Sequence, residues 1–169
     1  EAQLFGTIKI PFSSEAEGFN RVPSANEITF SKDAKFVHFT SNNTIYGTQF
    51  RTEPETHGIP LVCDASSDFL SRPIDIDKYG LIYAGAQKNL GPSGVAVVII
   101  HNDFLKKAHS KGIPTFLQYG AHIEDLYNTP PTFTIYLIDL VLEWLENKGG
   151  VSGISEINTA KASLLYNEI

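Results

Sequence analysis

The stretch GLIYAGAQKNLGPSGVAVVII, residues 80–100, decides how the rest of the chain is read. Its two apolar runs, 80–86 and 94–101, are of strand length and bounded by turn residues. The second is apolar on both faces. It reads as the plainest strand of the chain and is expected at the centre of a sheet. Between the runs sits Lys88, with glycines at 85, 91 and 94 around it. Lysine is among the residues least often buried. An amine between two buried strands is therefore either a turn residue reaching water past Asn89 or a group placed for chemistry.

Towards the N-terminus, GIPLVCDASS (58–67) reads as a short buried strand, Ile59 to Cys63, closing on Asp64. AKFVHFTSNNT (34–44) is a further strand, in which Phe36, His38 and Thr40 alternate with Val37 and Phe39 before a polar exit at Ser41-Asn42-Asn43. LFGTIKIPF (4–12) also alternates like a strand. Towards the C-terminus, NDFLKKAHSKG (102–112) predicts a short helix stopped by glycine, and the segment 112–128 reads as a loop. TPPTFTIYLIDLVLEWLENKGG predicts the longest helix, with proline in its first turn and Gly149-Gly150 as its stop. Phe133, Tyr136, Leu137, Leu140, Val141, Trp144 and Leu145 recur every three or four residues, and Ile135, Ile138 and Leu142 widen the stripe almost all round. Such a helix is expected to be buried, against the core or another subunit.

These elements predict an α/β fold, a mostly parallel sheet flanked by helices. In such sheets ligands bind off the carboxyl ends of the strands. Thr44 and Asp64 fall there, and Lys88, following an apolar run, falls there too.

Composition narrows the function classes. A chain of 169 residues suits one domain with a real core. Thirteen basic against nineteen acidic residues give a net charge of −6, leaving no basic excess to replace phosphate counterions, so nucleic acid is not the expected partner. No window approaches the ~18 continuous apolar residues of a membrane span. The lone cysteine, Cys63, excludes an internal disulfide and suits a reducing compartment. No secretory leader is read, and the cytoplasm is the expected location. Asn42-Asn43-Thr44 matches a glycosylation acceptor in spelling only. The five histidines, His38, His57, His101, His109 and His122, show no metal-ligand spacing and read as packed or surface imidazoles. The absence of any methionine and the helical, uncapped EINTAKASLLYNEI at the end lead us to expect a piece of a longer chain.

Asp64 closes a buried strand, where an ionised carboxylate needs a partner. It could equally cap the turn Asp-Ala-Ser-Ser. With Lys88 it matches what pyridoxal phosphate requires: an amine for the cofactor's aldehyde, and an acid that keeps its ring nitrogen protonated. The glycines beside Lys88 would let the backbone turn tightly and a ligand approach. A nucleotide-binding loop fails, because that pattern needs Gly-Lys followed by Ser or Thr and here Lys88 precedes Asn89. Asn128-Thr129-Pro130-Pro131-Thr132 before the long helix offers either a phosphate site or a simple cap.

At these residues the chain resembles the phosphoserine aminotransferase family. The resemblance rests on CDASSDFLSRPIDIDKYGLIYAGAQKNLGPSGVAVVII, NNTIYGTQF, YNTPPTFTIYLIDLVLEWL and KGGVSGISEINTAKASLLY, and it runs through nearly the whole chain. It implies a fold-type I enzyme: a large domain with a mostly parallel sheet, a smaller domain, and a homodimer with shared active sites. Residues 1–150 would be part of the large, pyridoxal phosphate-binding domain, and 151–169 the start of the helix leading to the small domain. The implied reaction moves an amino group from glutamate to 3-phosphohydroxypyruvate, giving 3-phosphoserine and 2-oxoglutarate in serine biosynthesis. By position, the resemblance makes Lys88 the Schiff-base lysine and the carrier of the proton between Cα and the cofactor's C4′. It makes Asp64 the partner of the pyridine nitrogen. Thr44 would bind on the ring's 3-oxygen side, and Gln87 a phosphate oxygen. Asn128 and Thr129 would reach the phosphate of the neighbouring subunit's cofactor. The family's phosphate-binding glycine loop, ring-stacking aromatic and carboxylate-binding arginine have no counterpart here, so the segment is expected to be inactive alone. Two alternatives remain open: a non-catalytic folded or dimerising module, and another enzyme of the same cofactor, such as a desulfurase using Cys63 or a lyase.

Overall fold

The computed structural model describes residues 2–108 and 112–169. Its centre is a sheet of four strands in the order β1 (Val37–Thr40), β4 (Leu61–Asp64), β5 (Tyr79–Gly85) and β6 (Ala96–Ile100). A two-stranded antiparallel ribbon, β2 (Asn42–Asn43) and β3 (Thr48–Gln49), follows β1 directly. The helices are α1 (Asn102–Lys107), α2 (Ala121–Glu124), α3 (Thr132–Asn147) and α4 (Gly150–Tyr166). The mixed α/β architecture with a mostly parallel sheet agrees with the fold class read from sequence.

β1, β4 and β5 are parallel, with Thr40, Asp64 and Tyr83 in one register row. Alternation then divides the side chains between two faces. Val37, Phe39, Leu61, Cys63 and Ile82 form the main core, with Phe50 and Phe69 packed against it. A second cluster joins Ala84, Ala86 and Leu90 to Ile138 of α3. His38, Thr40, Asp64 and Tyr83 belong to the opposite face.

Three expectations need correction. β6 is antiparallel to β5 and forms the sheet edge rather than its centre. Its apolar side chains signal that a surface gets covered, but no described element covers its outer face, and Val98 and Ile99 stay exposed. Likewise α3 is apolar almost all round, yet only Ile138 and Leu145 are buried. Phe133, Tyr136 and Trp144 are 73%, 55% and 54% exposed. The alternating segment 4–12 forms no strand and, apart from half-buried Phe12, lies exposed, because alternation without a ladder partner does not make a sheet. Two smaller differences follow. α4, at 17 residues, is one residue longer than α3, and the loop-like segment 112–128 contains a 3₁₀ turn and α2. The first helix ends at Lys107, and His109 lies outside the described residues.

The α3–α4 turn is tight. Gly149 has φ 87°, the left-handed region that favours glycine. A Cβ on Gly153 would stand 2.0 Å from the Lys148 carbonyl oxygen. α4 also reaches back towards the sheet, where Asn158 Nδ2 donates to the Ser71 carbonyl at 3.1 Å.

Candidate active site

Three parallel strands that run side by side must end side by side. Thr44 follows β1, Asp64 ends β4 and Lys88 follows β5, so the topology alone delivers all three to the carboxyl edge of the sheet.

Lys88 is turned outward by its neighbours. Ala86 and Leu90 are buried, which leaves residues 87–89 to form the exposed crest of the turn. The Gly91 N–H donates to the Ala86 carbonyl at 2.8 Å, and the Ala86 N–H to Val95 at 2.9 Å. Asn89 Nδ2 pins the crest to the Phe69 carbonyl at 2.9 Å. Gly94, at φ 106°, supplies the backbone conformation that returns the chain to β6. From this crest the Lys88 ammonium donates to Thr44 Oγ1 at 2.5 Å. The amide of Gln87 folds over Gly85, where a Cβ would come within 2.5 Å of its Oε1.

The turn that carries Thr44 is itself held from below. Asn43 Oδ1 accepts the N–H groups of Ile45 and Tyr46 at 3.1 and 3.2 Å. Ser67 Oγ donates to the Asn42 carbonyl at 2.6 Å and accepts from Asn42 Nδ2 at 2.9 Å. Buried Asp68 accepts from Ser41 Oγ and, at 3.2 Å, from Gln49 Nε2. Arg72 Nη2 lies 3.9 Å from the Asp68 carboxylate and donates to the Phe50 carbonyl at 3.2 Å. These polar groups tie both ends of the β2–β3 ribbon to the loop after β4. Sequence reasoning named neither Asp68 nor Ser67, because their partners lie about twenty or more positions away along the chain.

Asp64 does two things at once. Its Oδ1 accepts the Ser66 N–H at 2.9 Å, the turn-capping role that the sequence left open. Its charge also reaches across the face to His38 and Tyr83. The Ser66 hydroxyl accepts from the Gly85 N–H at 3.1 Å, which joins the turn after β4 to the end of β5.

Cys63 points the other way. It is 2% exposed, and burial pushes its thiol up to about 12. Asn128 and Thr129 lie in the exposed connection before α3, linked by a 3.2 Å contact from Asn128 Nδ2 to the Thr129 carbonyl. Among the described residues no hydrogen bond joins either of them to Thr44, Asp64 or Lys88. Two cavities, about 240 and 420 Å³, lie at the opposite end of the sheet beside Tyr79 and His101. Neither is lined by Thr44, Asp64 or Lys88.

The family profile described as Aminotransferase class-V matches residues 5–169. The chain belongs to the class-V aminotransferase family. Within it, the chain is similar to enzymes named phosphoserine aminotransferase. It is 54% identical to that of Herpetosiphon aurantiacus over 171 residues, covering all of this chain and 47% of the relative. The protein of Lysinibacillus sphaericus gives the same identity and coverage. Among solved structures, the phosphoserine aminotransferase from Bacillus circulans subsp. alkalophilus superposes with a TM-score of 0.94 at 47% identity, over 98% of this chain and 46% of that one. The pyridoxal phosphate-bound enzyme from Trichomonas vaginalis gives 0.82 at 39% identity, over 87% of this chain and 43% of that one. The chain thus spans about half the length of the curated relatives it matches. Among the described residues no helix is long and apolar enough to cross a membrane.

Proposed function

We propose that this chain is the lysine-bearing part of a pyridoxal phosphate-dependent phosphoserine aminotransferase, transferring the amino group of glutamate to 3-phosphohydroxypyruvate in cytoplasmic serine biosynthesis. The observation that carries the reading is the Lys88–Thr44 contact at the same strand edge as Asp64. An amine, a hydroxyl, a carboxylate and the Gln87 amide on three adjacent strand exits are a donor set that suits this cofactor. When bound, pyridoxal phosphate supplies an electron sink for the substrate Cα.

The residues divide the remaining work. Lys88 would tether the cofactor and would hold the proton to be moved at the substrate Cα. Thr44 holds the Lys88 amine and the 3-oxygen side of the ring. Asp64 keeps the ring nitrogen protonated by opposing its charge. Gln87 donates to the phosphate. Asn128 and Thr129, which make no hydrogen bond to Lys88 of the same chain among the described residues, serve the cofactor phosphate of a second copy in a homodimer. The exposed Phe133, Tyr136 and Trp144 of α3 support a contact of that kind, since a patch of large apolar side chains is seldom left in water. Residues 1–150 act as part of the cofactor-binding domain, and 151–169 lead towards a small domain. The desulfurase alternative lacks support, because Cys63 is buried on the other face and its thiol stays protonated at neutral pH.

The test is made on the whole protein. Pyridoxal phosphate produces a visible band that Lys88→Ala abolishes, and glutamate with 3-phosphohydroxypyruvate gives 3-phosphoserine. A folded Lys88→Ala variant that keeps the band defeats the assignment.

A further inference from the structure

Gly85 closes β5 at the edge that carries the site, and nothing in its backbone asks for glycine. Its φ lies outside the left-handed region, unlike that of Gly91 and Gly94 in the turn that follows. Its place is fixed on both sides. It pairs with Ala96 of β6, and its N–H donates to Ser66 Oγ at 3.1 Å. Glycine within a strand weakens it and often marks a place where another group comes close.

Alternation locates the side chain that Gly85 lacks. Tyr83 pairs with Asp64 in register and shares its face, and Gly85, two residues on, falls on that same face. The space is taken by the amide of Gln87. A Cβ on Gly85 would stand 2.5 Å from Gln87 Oε1, 2.9 Å from Nε2 and 3.0 Å from Cδ. Between the two residues Ala86 is fully buried. Its N–H donates to the Val95 carbonyl at 2.9 Å, and its carbonyl accepts from the Gly91 N–H at 2.8 Å. The backbone leading into Gln87 is therefore held, and the side-chain torsions of Gln87 must answer any Cβ at position 85. Among the described residues the Gln87 amide has no hydrogen-bond partner, so its packing over Gly85 sets where it lies.

We propose that Gly85 is a positioning residue for Gln87: the missing side chain lets the Gln87 amide lie back over the end of β5, on the face that carries Asp64. This rests on the reading of Gln87 as a donor to the cofactor phosphate. The group recognised is a phosphate monoester, and the amide has two N–H donors to offer it. Gly85 thus bears on how the phosphate is held, and not on the ring.

The experiment uses the whole protein, freed of cofactor. It compares affinity for pyridoxal phosphate with affinity for pyridoxal, which lacks the phosphate, each by absorbance titration. The ratio of the two reads the phosphate contribution, whereas a merely structural defect lowers both affinities together and leaves the ratio alone. Gly85→Ala is expected to lower the ratio about tenfold, the scale of one hydrogen bond to a charged group. Its melting temperature should be no lower than that of the unaltered protein, because a flexible side chain relieves the clash and alanine loses less backbone freedom on folding. Gln87→Ala lowers the ratio as far, and adding Gly85→Ala to it lowers it no further, since the new Cβ then displaces nothing. Gln87→Asn keeps an amide on a stem too short to lie over Gly85, and it lowers the ratio too. Should Gly85→Ala fail to fold, Gln87→Asn carries the comparison. An unaltered ratio in Gly85→Ala or in Gln87→Asn, while Gln87→Ala lowers it, overturns the proposal and leaves the reading of Gln87 intact. An unaltered ratio in Gln87→Ala overturns both together.

Discussion

The Lys88 ammonium and the Thr44 hydroxyl lie 2.5 Å apart although 44 residues separate them. The contact crosses from the exit of β5 to the turn after β1, over the end of β4. Each of the two groups is exposed on a turn whose flanks are buried or hydrogen-bonded, so the contact is set by the scaffold beneath it.

Thr44→Val keeps the shape of the side chain and removes the hydroxyl. In the whole protein, cofactor affinity should fall about tenfold, because the hydroxyl would donate to the ring's 3-oxygen and a hydrogen bond to a charged group is worth roughly 1.5–3 kcal/mol. A pyridoxal phosphate titration followed by absorbance measures this. An unchanged affinity would show that the Thr44 hydroxyl plays no part in holding the cofactor.

From its buried position Asp68 holds both ends of the β2–β3 ribbon whose turn carries Thr44. Asp68→Ala removes the acceptor shared by the Ser41 hydroxyl, the Gln49 amide and the Arg72 guanidinium, although Ser41 keeps the Asp64 carbonyl and Arg72 the Phe50 carbonyl. The expected loss of stability is about 1–3 kcal/mol, the cost of removing a buried charged acceptor from its donors. Urea unfolding reads it as a lower midpoint at constant slope. Asp68→Asn, which keeps one acceptor, should recover part of it.

Gly153→Ala sets two effects against each other. Alanine in a helix is better than glycine by about 1 kcal/mol. The added Cβ would meet the Lys148 carbonyl oxygen at 2.0 Å, and a backbone atom cannot rotate away. The clash should win, with a net loss of about 1–3 kcal/mol typical of overpacking. A rise in melting temperature for this variant would contradict the geometry of the α3–α4 turn.

Cys63 gives a pH prediction. Its thiol ionises at about 12 in the fold against an ordinary value of 9.0. A raised pKa means that the stabilising contribution is complete below the unfolded value and fades as pH climbs from about 9 towards 12. The burial of the Tyr79 phenol, also displaced upward, acts in the same direction. Stability measured across this range should fall with pH, and Cys63→Ala should flatten the part of the slope that belongs to the thiol. Iodoacetamide at pH 8 should modify Cys63 only as fast as the protein opens.

The local patterns were legible to different degrees. The strand at 37–40 alternates cleanly, and the runs at 61–64 and 79–85 are short, apolar and bounded by turn residues, so each was placed correctly. The turn around Lys88 was visible from its glycines. β6 and α3 were placed as elements but not in their surroundings. Hydrophobicity states that a surface avoids water without stating what covers it, and in this chain Val98, Phe133 and Trp144 face outward. The segment 4–12 shows the converse, an alternating pattern that found no ladder partner.

Thr44, Asp64 and Lys88 could be placed at strand exits from the linear chain, because residue type and local pattern are written in neighbouring residues, whereas Gln87 entered only through the family resemblance. The pairing of His38 with Tyr83, and of Asp68 with Ser41 and Gln49, could not be read there. Those contacts depend on which strands lie side by side and in what register, and a one-residue slip would turn each of these side chains to the opposite face. Strand exits are local properties written in neighbouring residues. Strand order is settled by long-range packing, and that is why the support around Asp64 and Thr44 came into view only with the folded chain.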